Sequence, residues 1–407
     1  MRRTSGQNGQ VLPVLLAVIS IAIAALLMSH RTGRAIGQES TLVNAADAAA
    51  YSAGNWAARQ LNLMAYTNRA MVANHIAVGH LVAYISWLRY AEDASDQIAR
   101  YSAYLPYVGA ATRSANDLLR GVLTASERAS WGYINTVDAL HGLMTLSQLQ
   151  ARRALAPDVM ASVMRRVAHT YDEDFKVNRG GELTAIPAPY KNALQATLGA
   201  YRVAMLARVK TDKPGTDQGY FNRIVSRTIK HDRNLSRWIQ GRQTNAGPRF
   251  GTGGRNWSRS IFSLIRFRKQ GPTNLAPRPD AGGWRSADRL QVGLFDFDKF
   301  EWGNWRTLAS GRASADQLAG NYDGIDRYTR APKRLQDKGQ FTIPAMLTSA
   351  IPGQSSTAIN AHLSVAKVIY EIPRGCAYRC PKRSAKATLF NPYWRASLDA
   401  PRLPRVP

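Results

Sequence analysis

"NGQVLPVLLAVISIAIAALLMSHR", residues 8–31, decides how the rest of the chain is read. From Val11 to Met28 it holds eighteen residues with no charge and one hydroxyl, Ser20. As a helix, such a run is about 27 Å long, just short of the roughly 30 Å of a bilayer's hydrocarbon layer. Arg2 and Arg3 precede it; His30, Arg31 and Arg34 follow, with Glu39 soon after. Long basic side chains at the end of such a run reach back to the lipid–water boundary and make up the missing length. The basic residues ahead of the run predict, by the positive-inside bias, a cytoplasmic N-terminus and a large domain outside. Val11, Leu12, Leu15, Leu16, Ile19, Ile23, Leu26 and Leu27 are the expected anchor residues.

Three processed fates fit less well. A secretory signal needs a small-x-small site after its apolar region. The flank "MSHRTGRAIG" has none, and Ala22 and Ala24 lie inside the run. A lipoprotein needs a cysteine there, and none is present. A type IV prepilin is cut after a glycine and carries Glu at the fifth mature position. Cutting after Gly6 or Gly9 puts Val11 or Val14 there. The run is expected to remain as an anchor.

The 407 residues suffice for two or three domains, and 45% of them are hydrophobic, so a packed core is expected. Lys and Arg number 54 against 27 Asp and Glu, a net charge of +27. Such a field favours polyanions: nucleic acid, anionic lipid, acidic polysaccharide or an acidic protein. Two cysteines, Cys376 and Cys380, supply no disulfide framework. Outside the cytoplasm they close a small local disulfide or remain free thiols. Zinc would need two more ligands, and the nearest histidine is His362.

Gly9 and Gln10 directly before the apolar run, followed by "STLVNAADAAAYSAG" at residues 40–54, resemble the start of the TadG-like family of Flp (tight-adherence) pilus-assembly proteins. There a membrane helix leads into a "NAADAAA"-type segment, matched by Asn44, Ala45, Ala46, Asp47, Ala48, Ala49 and Ala50. "ATLFNPYWRASL", residues 387–398, is similar to the C-terminal end of family members. The resemblance covers about fifty N-terminal residues and this late segment. It implies a minor pilin-like or assembly component of type IVb pili in the bacterial inner membrane.

After the anchor, small apolar residues recur at helical spacing. Ala45, Ala49 and Ala53 form one ridge; Ala46, Ala50 and Gly54 form another. Small-xxx-small ridges let helices approach closely. They serve either lateral packing beside other pilus subunits or packing on the chain's own domain. Leu61–Tyr90 reads as a second helical stretch, with Met71, Asn74, Val78, Leu81, Ile85 and Leu88 at heptad spacing. His75 and His80, five apart, fall on different faces and do not make a helical zinc pair. A buried polar network with Asn68 and Asn74 is expected instead. Helices are also predicted over Asp117–Leu155, stopped by Pro157, over Val159–Thr170, capped by Asp158, and over Asn192–Lys210.

From about residue 244, Gly/Pro-rich punctuation marks a change of character. "SRSIFSLIRFRK" and Ile359–Ile372 read as strands. In "GLFDFDKFEW", Phe295 and Phe297 share one face, Asp296 and Asp298 the other, with the strand ending near Lys299. Ser310–Gln340 reads as mostly loop.

The chemistry-bearing candidates are few. Between Tyr201 and Gln270 sixteen basic residues face three acids, Asp212, Asp217 and Asp232. Arg223, Arg227, Lys230 and Arg237 recur there at near-helical spacing beside Trp238 and Phe250, a pattern suited to phosphate contact and base stacking. It equally suits an anionic membrane, an acidic neighbour or a solvated face. Asp172, Glu173 and Asp174, and Asp296 with Asp298, read as turn and surface acids, not as a glycosidase pair. No Walker loop, EF-hand or G-x-S-x-G elbow occurs. The expected fold is α+β: a cytoplasmic tip and transmembrane anchor at 1–30, a helical extracytoplasmic region at 31–243, and a loop-rich β-containing region at 244–407. The expected role is non-enzymatic and needs no cofactor. The partners would be the inner membrane and other pilus or pilus-assembly subunits. The alternative is a membrane-tethered protein that binds an anionic envelope polymer or nucleic acid, DNA included.

Overall fold

The computed structural model describes residues 11–104, 107–178, 188–209, 218–231, 256–261, 264–275, 283–320, 322, 324–325, 327–350, 359–373 and 386–401. The fold mixes helix and sheet around one spine. Helix α1 runs unbroken from Val11 to Ser102, 92 residues, about 138 Å at 1.5 Å each. Pro13 is the only proline inside it and sits in the first turn, where no intrahelical N–H bond is lost. The second helical stretch expected from Leu61 is therefore the continuation of the first.

α2, Val108–Arg153, folds back along the far half of α1. It begins nine residues ahead of the predicted start at Asp117, and Tyr107 caps its entry with a positive φ of 67°. α3, Pro157–Ala168, has Pro157 in its first turn, where a missing N–H costs nothing, and Asp158 beside it. Pro157 thus starts a helix as well as stopping one. α4, Ala188–Val209, and α5, Gln218–His231, complete the main helices.

Two antiparallel sheets lie on α1. The first has the order β1 (Lys176–Val177), β7 (Gln340–Ala350), β8 (Ile359–Tyr370), β9 (Trp394–Asp399). In the second, β5 (Trp284–Asp296) is central. β3 (Ile265–Gln270) and β4 (Thr273–Leu275) share one edge of β5 end to end, and β6 (Glu301–Ser314) takes the other. β2 (Trp257–Ile261) extends the β3 side. Two short helices, α6 (Ala315–Ala319) and α7 (Lys333–Lys338), follow β6.

Three sequence expectations change. "SRSIFSLIRFRK" is a hairpin, not one strand: β2 pairs β3 with Ile261 opposite Ile265. β5 stops at Asp296, three residues short of Lys299, because residues 297–300 turn the chain into β6, with Phe300 at φ 50°. Ser310–Gln340 is less of a loop than expected, since β6 reaches Ser314 and α6 and α7 lie within it. β8 matches the predicted Ile359–Ile372 strand within two residues.

The core divides along the spine. One cluster joins Leu42–Met64 of α1 to α3 and the first sheet. A second joins Met71–Leu88 of α1 to α2, α5 and the second sheet, with Trp284, Tyr322 and Tyr328 fully buried.

Candidate functional site

The first thirty described residues of α1, 11–40, are exposed throughout. The eight expected anchor residues are 45–71% exposed, and no described residue covers them. This segment is one helix long and apolar enough to span a membrane. Residues 29–41 then form a bare polar stalk, about 20 Å long, before Leu42 enters the core.

Beyond the stalk, Ala45, Ala46, Ala49, Ala50 and Ala53 are 0% exposed, and Gly54 is buried with them. They are covered by the chain's own first sheet. A Cβ on Gly54 would lie 2.9 Å from Ala366 Cβ and 3.2 Å from Ala396 Cβ. The small ridges therefore seat β8 and β9 on the helix and present no face to a neighbouring subunit. Asp47, inside "NAADAAA", accepts a 2.6 Å hydrogen bond from Ser364 Oγ on β8. About three turns past the motif, Asn62 donates to the Trp394 carbonyl at 2.9 Å and accepts from its N–H at 3.0 Å. The two segments that carry the family resemblance thus meet, the early one as the helix and the late one as β9 upon it. Sequence reading missed Asp47–Ser364 and Asn62–Trp394, because partners more than 300 residues apart leave no local periodicity.

Three buried polar groups tie the far half of the spine to what surrounds it. Asn68 donates to the carbonyls of Thr329 (2.9 Å) and Leu389 (2.7 Å) and accepts from Gln148 Nε2 (2.8 Å). Next, His75 Nδ1 lies 2.7 Å from the Tyr322 hydroxyl, and Trp284 Nε1 donates to the His75 carbonyl at 2.7 Å. Burial, helped by nearby His141, pushes the His75 imidazole down to about 3. Burial pulls His141 of α2 down to about 4. Both rings are neutral at pH 7. Of the four residues of the expected buried network, Asn68 and His75 are buried and bonded in two separate groups, while Asn74 and His80 are only half-buried.

Farther along, Lys269 and Asp288 pair directly, with side chains 2% and 0% exposed. Ser86 donates to Asp288 at 2.7 Å, and the Tyr90 ring lies 4.2 Å from the ammonium. Gly311 of β6 crosses α1 beside this pair: a Cβ there would sit 2.2 Å from the Ser86 carbonyl oxygen. In sequence, Lys269 is only one more basic residue of the cationic segment, so this role was not visible.

The cationic candidates are only partly brought together. Arg223 and Arg227 lie exposed on α5, whose other face buries Phe221, Val225 and Ile229. Lys230 falls on the same helix. Arg237, like Cys376 and Cys380, lies outside the described residues. Two other arginines stack on indoles of the second sheet: Arg268 at 3.9 Å from the Trp305 ring centre, Arg266 at 5.3 Å from Trp302. The acid pairs make local turns: Asp172 Oδ1 accepts from the Asp174 N–H and Asp296 Oδ1 from the Asp298 N–H. Among the described residues no three His, Cys, Asp or Glu side chains cluster as a metal would need. No protein-family model matches the chain, and no match was found among curated proteins or solved structures.

Proposed function

We propose that this chain is a single-pass component of an Flp-type pilus apparatus, held in the bacterial inner membrane and working structurally. One observation carries the reading: the uncovered apolar segment is the start of the same unbroken helix on which both sheets are built. A helix that leaves lipid without a break fixes the direction in which the domain projects. The resemblance of residues 40–54 and 387–398 to the TadG-like family names the apparatus. Small-residue packing belongs to the inside of the subunit, so contact with other subunits uses other surfaces.

The test is in two parts. Leu16→Arg with Ile19→Arg should raise the cost of membrane insertion by about 6 kcal/mol and release the protein from carbonate-washed vesicles. In cells that make such pili, deleting the gene should abolish surface fibres, and the wild-type gene should restore them. Normal fibres in the deletion strain would overturn the pilus reading while leaving the anchor intact.

A second reading, a membrane-tethered polyanion binder, draws on exposed Arg223 and Arg227 and on the net charge of +27. It requires binding to double-stranded DNA or to acidic polysaccharide that falls steeply with salt. A flat salt response removes it.

A further inference from the structure

α2 carries a second seam. Its inner face packs on α1 through residues such as Asn116, Ser130, Ile134, Val137, His141 and Gln148. On the opposite side, steps of three and four residues trace an unbroken heptad line. It begins with Val108, Ala111, Ala115, Leu118 and Val122. It continues through Ala125, Ala129 and Gly132, crosses Thr136, and ends with Ala139, Leu143 and Leu146. Every one of these positions is exposed except half-buried Gly132. Val108, Leu118, Leu143 and Leu146 are 49%, 70%, 62% and 57% exposed. The uncovered seam is thus more apolar than the covered one.

Charge singles the face out further. Taking the seam with the positions that flank it on either side, only Arg128 is charged between Val108 and Leu146. That is unusual on a chain of net charge +27. Arg120 and Glu127 turn towards α1, pairing with Glu92 and Arg89 at 2.8 Å. A face kept free of like charge is what two identical cationic chains need in order to touch. The seam and its flanks supply twenty-two residues over 39 positions, within the roughly 20–30 a side of a stable interface. Small residues from Ala125 to Ala139 let two helices approach closely at mid-length, while Leu118 and Leu143 fill the ends.

We propose that two copies of this chain pair side by side through this outer face of α2, the helices parallel and in register as a coiled coil. Anchoring in one membrane, which rests on the reading above, sets the direction: copies with parallel spines have parallel α2 helices. Arg128 then faces Tyr133 of the other copy, since those two positions meet across a parallel heptad seam.

The experiment uses the full chain in detergent and again in vesicles, in a Cys376→Ser, Cys380→Ser background. Ala125→Cys and Ala139→Cys should each form a disulfide with themselves across the dimer, and Thr124→Cys should not. Leu118→Lys with Leu143→Lys, both at exposed positions, should weaken dimerisation about a hundredfold by light scattering. Helix content by circular dichroism should stay unchanged. Three results would each overturn the proposal: a monomer that cross-links at neither position, cross-linking only between the Ala125→Cys and Ala139→Cys chains, or cross-linking only to another protein. Dimerisation that fails in detergent yet cross-links in vesicles supports it and shows that the anchor contributes. Because the cross-links are read between purified copies, a chain unconnected with pili would still show them.

Discussion

The Lys269–Asp288 pair is closed to solvent on both sides, so it acts by what its loss would leave behind. Removing one partner strands a charge in the core, at a cost of about 3–5 kcal/mol, whereas replacing both with apolar groups restores most of it. Lys269→Met should therefore destabilise the fold strongly in urea melts, and Lys269→Met with Asp288→Leu should recover much of the loss. If the double variant is as unstable as the single, the pair is not the unit that matters. The buried imidazoles act through pH. His75 titrates near 6.5 when unfolded and about 3 when folded, so below pH 6.5 the unfolded chain gains the proton first. Stability is full above pH 6.5 and falls as the pH drops towards 3. At pH 5 His75 alone should cost about 2 kcal/mol, and His141 adds to it. Urea melts at pH 7.5 and pH 5 check this; the difference should shrink in a His75→Gln, His141→Gln variant.

Helix α1 shows what sequence can and cannot disclose about an element. Its apolar leading segment and its alanine ridges follow from local pattern, since eighteen apolar residues and repeated small side chains need no knowledge of the fold. What covers the ridges does not follow, because helix and sheet accept small residues equally. The covering strands, β8 and β9, lie some 300 residues away. The hairpin of β2 and β3 reads as one strand for a related reason: the two strands share the same β-forming composition, and the sequence between them has no Gly or Pro to mark a break. The outer seam of α2 is open to the same heptad count applied to α1, but only the fold shows that this seam, and not the more polar one, is left uncovered. The close fit beneath the first sheet makes a sharp prediction. Gly54→Val would thrust methyl groups into Ala366 and Ala396, already 2.9 and 3.2 Å from a bare Cβ. Overpacking of this kind costs about 1–3 kcal/mol. Thermal melting should fall accordingly, whereas Gly33→Val on the bare stalk, with nothing within 4 Å, should leave it within about 1 °C.

At the scale of the molecule, the spine separates two jobs that the same helix performs. From Leu42 onward it is the floor of the two large hydrophobic clusters, and strands β4 to β9 rest on it. Before residue 41 it is exposed throughout and packs on none of the described elements, so the described fold owes that part no stability. Burial of apolar area is worth roughly 25 cal/mol per Å², and the leading segment buries none against the described residues; on the reading proposed above, lipid buries it instead. A chain beginning at residue 31 should therefore fold, leave the membrane fraction and melt within about 2 °C of the full protein. The opposite cut tests the asymmetry. Removing residues 393–407 takes away β9, Trp394 and the Asn62 partner, opening the first cluster at Gly54 and the alanine ridges. That form should stay in the membrane yet lose the protease resistance of the first sheet. Should the chain that begins at residue 31 unfold instead, the leading segment has a partner within the protein; should it remain with vesicles after carbonate, another part of the chain holds the membrane; either result would break the division of the spine at residue 41.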